Sequence, residues 1–222
     1  MHAAAFERLP ALDALPGIRA AFLTRIPDVD VVADRETALA RLRPAHEALI
    51  AELGFSQPAL AEQIHGSGVA PVDAVSLSPA AGMDGLATAT PDVTLGIYVA
   101  DCAAIWLADP RRRTIALVHS GKKGTEQNIL GRAVETLRGN FGTDPADLVA
   151  VVSPCIRAPH YEIDFATTIA EQAHAAGIRN FHDARMCTAS HPERYYSYRR
   201  ELGKTGRMLA LLALERPETD IN

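Results

Sequence analysis

The sequence predicts a mixed α/β fold in which helices cover stacked sheets. Short, almost wholly apolar runs fit strands buried on both faces, and longer stretches carry apolar residues at helical spacing between capping residues. A length of 222 residues suits one domain with a substantial core. In order, Arg35 to Leu53 reads as a helix, with Asp34 placed as its N-cap and Gly54 where a C′ glycine belongs. Pro44 inside it implies a kink or two shorter helices, because its ring removes an intrahelical hydrogen bond. Leu60 to Val72 alternates loosely, in the manner of strands. Val93–Ala100 and Ala103–Ala108 read as strands on either side of Asp101 and Cys102. Thr114–His119 and Leu148–Val152 are nearly all apolar and read as buried strands. Between them, Thr125–Leu137 has helical spacing and opens just after a glycine-lysine loop. Ala166–Ala176 reads as a further helix closed by Gly177. For Met208–Leu214, periodicity does not choose between strand and helix. No repeat, low-complexity segment or linker-like stretch divides the chain.

The charge balance narrows the partners. A net charge of -5 argues against nucleic acid, because neutralising phosphates takes a concentrated basic face. Local clusters at Arg111–Arg113, Lys122–Lys123 and Arg199–Arg200 keep small anions as partners. No apolar run approaches the length of a membrane span, and Met1 to Leu15 lacks the uninterrupted apolar stretch of a signal peptide. Cys102, Cys155 and Cys187 are widely spaced and form no CxxC pair, which points to a reducing compartment and hence the cytoplasm. Oligomeric state is not legible in the sequence.

Three short segments each place a potential zinc ligand at the end of an expected strand: Gln63-Ile64-His65-Gly66, Ala100-Asp101-Cys102-Ala103 and Val118-His119-Ser120-Gly121. Zinc favours imidazole nitrogen and thiolate sulfur, and a catalytic site supplies three protein ligands with a fourth position open. Spacing alone leaves the bland alternatives standing, with Cys102 a small core residue and each histidine satisfied by one hydrogen bond. Cys155, after an expected buried strand, reads as core rather than nucleophile. His2, His46, His174 and His191 fall in expected tail, helix and loop contexts.

Further ordered motifs accompany these segments: Asp84-Gly85-Leu86-Ala87-Thr88, His119-Ser120-Gly121-Lys122-Lys123-Gly124, His160-Tyr161-Glu162-Ile163, Cys187-Thr188-Ala189, Tyr196-Ser197-Tyr198-Arg199-Arg200 and Thr205-Gly206-Arg207-Met208. Together they closely resemble the laccase-domain, or polyphenol-oxidase-like, family of the YfiH type, from about Gly17 to Leu214. The resemblance implies a single domain over residues 1–222 with a four-layer α/β/β/α sandwich. It implies zinc held by His65, Cys102 and His119. It also implies purine nucleoside phosphorolysis, acting on nucleoside and phosphate, with adenosine deamination as a companion. Removal of misincorporated serine from a peptidoglycan precursor, and a degenerate non-catalytic zinc-binding member, are the alternatives.

On this reading Asp101 and Lys123 are candidate catalytic residues, while Gln63, Lys122 and Arg207 are candidate substrate-binding residues. Cys187 is structural, and Tyr161, Glu162 and Tyr196 to Arg200 pack around the rim. Family members usually read HAGWRG where this chain reads HSGKKG, so Lys122 and Lys123 replace a tryptophan and an arginine. Lysine keeps the charge but not the planar fork. The loop around Ile26 to Ala33 is shorter than in typical members, and a stretch after Ile163 is missing. Multicopper oxidation is rejected: it needs on the order of ten histidines around its coppers, whereas one thiolate-containing three-ligand site suits zinc.

Overall fold

The computed structural model describes residues 5–76 and 78–216; His2 lies outside them. In chain order come β1 (Phe6–Glu7), the short α1 (Pro10–Asp13), β2 (Ile18–Leu23) and α2 (Arg35–Glu52). Next are β3 (Ala59–Leu60), β4 (Val69–Pro71), β5 (Gly85–Thr88), β6 (Thr94–Val99), β7 (Ala103–Asp109) and β8 (Thr114–Ser120). Then follow α3 (Lys122–Glu126), α4 (Ile129–Phe141), β9 (Val149–Val152), α5 (Phe165–Ala175), β10 (Asn180–Asp183) and β11 (Met208–Leu214).

The strands form two sheets, ordered β1-β2-β11-β6-β3 and β10-β9-β7-β8-β5-β4. Both are mixed: β3–β6, β4–β5 and β9–β10 pair parallel, while β2–β11, β6–β11 and β7–β8 are among the antiparallel pairs. The apolar runs are continuous because each face of a central strand has its own apolar layer to fill. In β7, Ala104, Trp106 and Ala108 enter the core between the sheets, whereas Ala103, Ile105 and Leu107 pack under α4 and α5. In β11, Met208, Ala210 and Leu212 join the inter-sheet core, while Leu209, Leu211 and Ala213 meet Ile50 and Phe55 on the α2 side. The result is the α/β/β/α sandwich. Trp106 ties the two sheets directly: its indole N–H donates to the Leu211 carbonyl at 2.9 Å, and its ring meets Phe22 edge-on at 5.8 Å.

Several expected elements change. Helix α2 runs unbroken through Pro44 rather than as two helices. Pro44 and Ala40 are both exposed, so the carbonyl that the proline leaves unpaired is open to solvent. Asp34 caps the helix by accepting the Thr37 N–H at 2.9 Å, and Gly54 takes φ +74° beyond its end. Of Leu60–Val72, only the ends belong to strands. The expected helix over Thr125–Leu137 is two: Asn128, at φ 55°, breaks the chain between α3 and α4 and caps the second through Gly131. Lys122 and Lys123 therefore open a helix instead of lying in a loop. Met208–Leu214 is a strand, and β2, with Arg19 interrupting its apolar run, has no counterpart among the expected elements. None of the described helices is long and apolar enough to cross a membrane.

His46 sits on the buried face of α2 with Ala38, Leu42 and Ile50. It is 2% exposed, lies against the Tyr98 ring and has no hydrogen-bond partner on either ring nitrogen. Burial pushes its pKa down to about 4. The folded state thus holds His46 neutral where the unfolded chain, with an ordinary histidine pKa near 6.5, binds a proton. Its contribution is complete above the unfolded value and is lost as pH falls from about 6.5 toward 4. Between pH 7 and 4.5 this costs about 2 kcal/mol. Denaturant unfolding at the two pH values should show His46→Leu losing less stability than the wild type by about that amount; equal losses would contradict it.

Candidate metal centre

One buried carboxylate assembles the site. Asp84, immediately before β5, is fully buried and accepts the backbone N–H of Ile64 at 3.1 Å, His65 at 2.9 Å and Gly66 at 2.7 Å. It also pairs with Nδ1 of His119 at 2.8 Å. Burial alone raises the Asp84 pKa, but His119 and the Gly66 N–H pull it below the ordinary value. The turn wrapped around it is strained, since Gln63 and His65 both take φ 64°. Gln63 braces that turn from the other side. Its amide donates to the Tyr98 carbonyl at 2.6 Å and accepts the Tyr98 N–H at 3.0 Å.

His65, Cys102 and His119 converge, their ligand atoms all lying within 4.8 Å of one another. His119 stands on β8, and its Nδ1 bond to Asp84 leaves Nε2 to meet Cys102. Cys102 lies in the turn leading into β7. Gly121 makes room for it, because a β-carbon at position 121 would overlap the cysteine sulfur. His65 is in the loop between β3 and β4, a correction to the expected strand end. Burial pushes the Cys102 thiol up, but hydrogen bonds from His119 and His65 bring it down to about 6. Burial lowers His119, while Asp84 and Cys102 raise it to about 9. A thiolate between two imidazoles is a donor set that could hold a metal ion. His119 is buried, Cys102 half-buried and His65 exposed, so the cluster is open on one side.

That open side faces a cavity of about 760 Å³. Its walls come from every layer: Tyr98 from β6, Lys122 from α3, Phe165 from α5, Tyr198 from the loop before β11. Of the expected substrate-binding residues, Gln63, Lys122 and Arg207 all border it. The Gln63 amide, however, is spent on Tyr98. Asp101 also borders the cavity, with both carboxylate oxygens engaged: Thr188 Oγ1 donates to one at 2.7 Å and the Arg199 N–H to the other at 2.7 Å. Lys123 is exposed and is not part of the wall, because the next residue along a helix points about 100° away from Lys122. Tyr161 and Tyr198 do stand at the rim, under the guanidinium groups of Arg199 and Arg207. Tyr196 is instead buried in the core. Cys155 is also core, its thiol pushed by burial up to about 12.

Two participants escaped sequence reasoning. Asp84 opened a motif that carries the family resemblance but was given no role at the site, and Arg35 was read as a helix start although its side chain reaches the cavity.

The family profile described as multi-copper polyphenol oxidoreductase laccase matches residues 30–167 and 160–215, most of the chain. The chain belongs to this family. A purine nucleoside phosphorylase from Deinococcus radiodurans is 33% identical over 198 residues, covering 77% of this chain and 76% of the relative. The purine nucleoside phosphorylase YlmD of Geobacillus stearothermophilus is 28% identical over 193 residues, 68% of this chain and 70% of its own. The fold agrees with solved structures. The crystal structure of YlmD from that organism superposes with a TM-score of 0.77 at 22% identity, covering 96% of this chain and 100% of that one. The Bacillus licheniformis YfiH structure gives 0.74 at 23%, over 89% and 93%.

Two substitutions probe the centre by metal content. Gly121→Ala drives a methyl into the Cys102 sulfur and should leave a folded protein that retains little metal by elemental analysis. Asp84→Asn loses the carboxylate that orients His119 and should weaken metal affinity roughly 10- to 100-fold in a chelator competition. Full metal occupancy in Gly121→Ala would show that Cys102 is not a ligand.

Proposed function

We propose that the chain is a zinc-dependent purine nucleoside enzyme, transferring the ribosyl group of adenosine, inosine or methylthioadenosine from the base to phosphate. The observation that carries this reading is the His65–Cys102–His119 cluster opening into a cavity bordered by Lys122 and Arg207. Two imidazole nitrogens and a thiolate suit zinc, and the two curated relatives named above bear the name purine nucleoside phosphorylase. Zinc held there supplies Lewis acidity beside the bound substrate.

The protein's own groups do the rest. The Lys122 ammonium attracts phosphate by charge at the cavity that His119 also borders. Ile156, Tyr161 and Phe165 line the same wall with apolar surface, which excludes water from the glycosidic bond and favours transfer to phosphate over hydrolysis. Asp84 fixes His119 in the tautomer whose Nε2 is free to coordinate. Asp101 is a positioning residue: it anchors the Arg199 backbone, and with it the Tyr198 rim, beside the cluster. Gln63 likewise positions the His65 turn. Lys123, outside the wall, takes no part. Adenosine deamination belongs to the same proposal as a second activity of the site. We place these activities in one zinc-binding domain in the cytoplasm, where the three free cysteines stay reduced.

Zinc-loaded protein incubated with adenosine and phosphate should release adenine and ribose 1-phosphate, with inosine if deamination accompanies it. Lys122→Ala should raise the KM for phosphate about tenfold, the effect of one lost charged contact. A zinc-loaded sample that yields none of these products from any purine nucleoside would refute the assignment.

A further inference from the structure

The cavity carries more positive charge than one phosphate co-substrate explains. Four cationic side chains border it: Arg35, Lys122, Arg199 and Arg207. The acid among the lining residues, Asp101, is already tied to Thr188 and the Arg199 backbone. The cations also divide by origin. Lys122 comes from α3 beside His119. Arg35 opens α2 and Arg207 precedes β11, on the other sheet of the sandwich.

Arg35 and Arg207 border the same cavity, and neither forms an ion pair among the described residues. Arg207 is 8% exposed; its guanidinium lies over the Tyr198 ring, and only its Nη1 makes hydrogen bonds among the described residues, donating to the carbonyls of Thr205 and Gly206 at 2.8 Å each. Arg35 has no hydrogen-bond or ion-pair partner among the described residues. Burial and then the charge of Arg35 lower the Arg207 pKa, against the opposite pull of Tyr198, Asp101 and Cys102. A buried arginine beside a second arginine is costly unless an anion visits, and the planar fork matches a phosphate ester.

We infer that Arg35 and Arg207 form a second anion seat that holds a phosphate group carried by the substrate itself, so that the cavity selects a phosphorylated nucleoside over the neutral one. This rests on the nucleoside reading above and deepens it. With phosphate transfer served from the Lys122 side, the ribose 5′-hydroxyl, the one most bonds removed from C1′, is where a phosphate least obstructs the base and the glycosidic bond. The cavity volume lies within the range that encloses ligands of this size.

Calorimetric titration of the zinc-loaded protein with AMP, adenosine and inorganic phosphate separates the possibilities. AMP should bind about tenfold or more tightly than adenosine, and Arg35→Ala should bring that ratio toward one. Arg35 is exposed at the first turn of α2, so its removal spares the fold. Lys122→Ala should weaken inorganic phosphate while leaving the AMP-to-adenosine ratio high. Equal affinity for AMP and adenosine in the wild type, or a ratio that Arg35→Ala does not move, overturns the second seat. So does an Arg35→Ala effect confined to inorganic phosphate. Phosphorolysis of adenosine with no preference for AMP would sink this inference and leave the phosphorylase reading standing. Tight, Arg35-dependent AMP binding without turnover of any nucleoside would uphold the seat and sink the phosphorylase reading.

Discussion

The centre depends on a charge kept away from water. A buried carboxylate is tolerable only when donors surround it, and Asp84 has four: three successive backbone N–H groups and an imidazole. Those four bonds join an irregular turn to a core strand, beside the backbone bonds from Gln63 to Met83 and from Asp84 to Gly68. The 63–66 turn is irregular, exposed and strained; β8 is a fully buried strand. By binding both, Asp84 brings a histidine from a loop into register with a histidine from the core. The thiolate then enters from the β7 side, into space that Gly121 leaves open.

The same economy recurs at the rim. Asp101 stands next to Cys102 at the edge of the cavity, and its side chain holds two late loops, one through Thr188 and one through the Arg199 backbone. The segment bearing Tyr198, Arg199 and Leu202 is thereby fixed relative to the metal cluster. Apolar surface on the α5 side and cationic side chains from two sheets then give a cavity with distinct regions, suited to a ligand with an apolar body and charged ends.

What the sequence revealed follows from how local each signal is. Asp34 and Gly54 mark the ends of α2 because capping is decided within a few residues, and both fall as expected. The strands β6, β7, β8 and β9 were legible because burial on both faces leaves an unbroken apolar run. Pro44 did not divide α2, because its cost depends on whether the orphaned carbonyl meets solvent, which is tertiary information. Asn128 was silent for a similar reason: a left-handed residue with its own side-chain cap splits a helix without disturbing the apolar spacing. At the site, ligand types were visible but convergence was not, since His65, Cys102 and His119 are brought together by pairings far apart in the chain. The motifs shared with a family supplied that convergence. Gln63 and Lys123 show the limit of carrying roles over by motif: the first spends its amide on Tyr98, and the second turns outward by helical geometry.

Strand β11 lies between β2 and β6, in the middle of its sheet, although it is last in chain order among the described strands. Until it emerges from the ribosome, β2 and β6 each present an unzipped hydrogen-bonding edge backed by apolar side chains, the kind of surface on which nascent chains stick to one another. Arg207 arrives with it, so the half-built chain has an incomplete cavity as well as an incomplete sheet. A chain cut before Met208 therefore leaves β2 and β6 each with an unpaired edge and the cavity without Arg207.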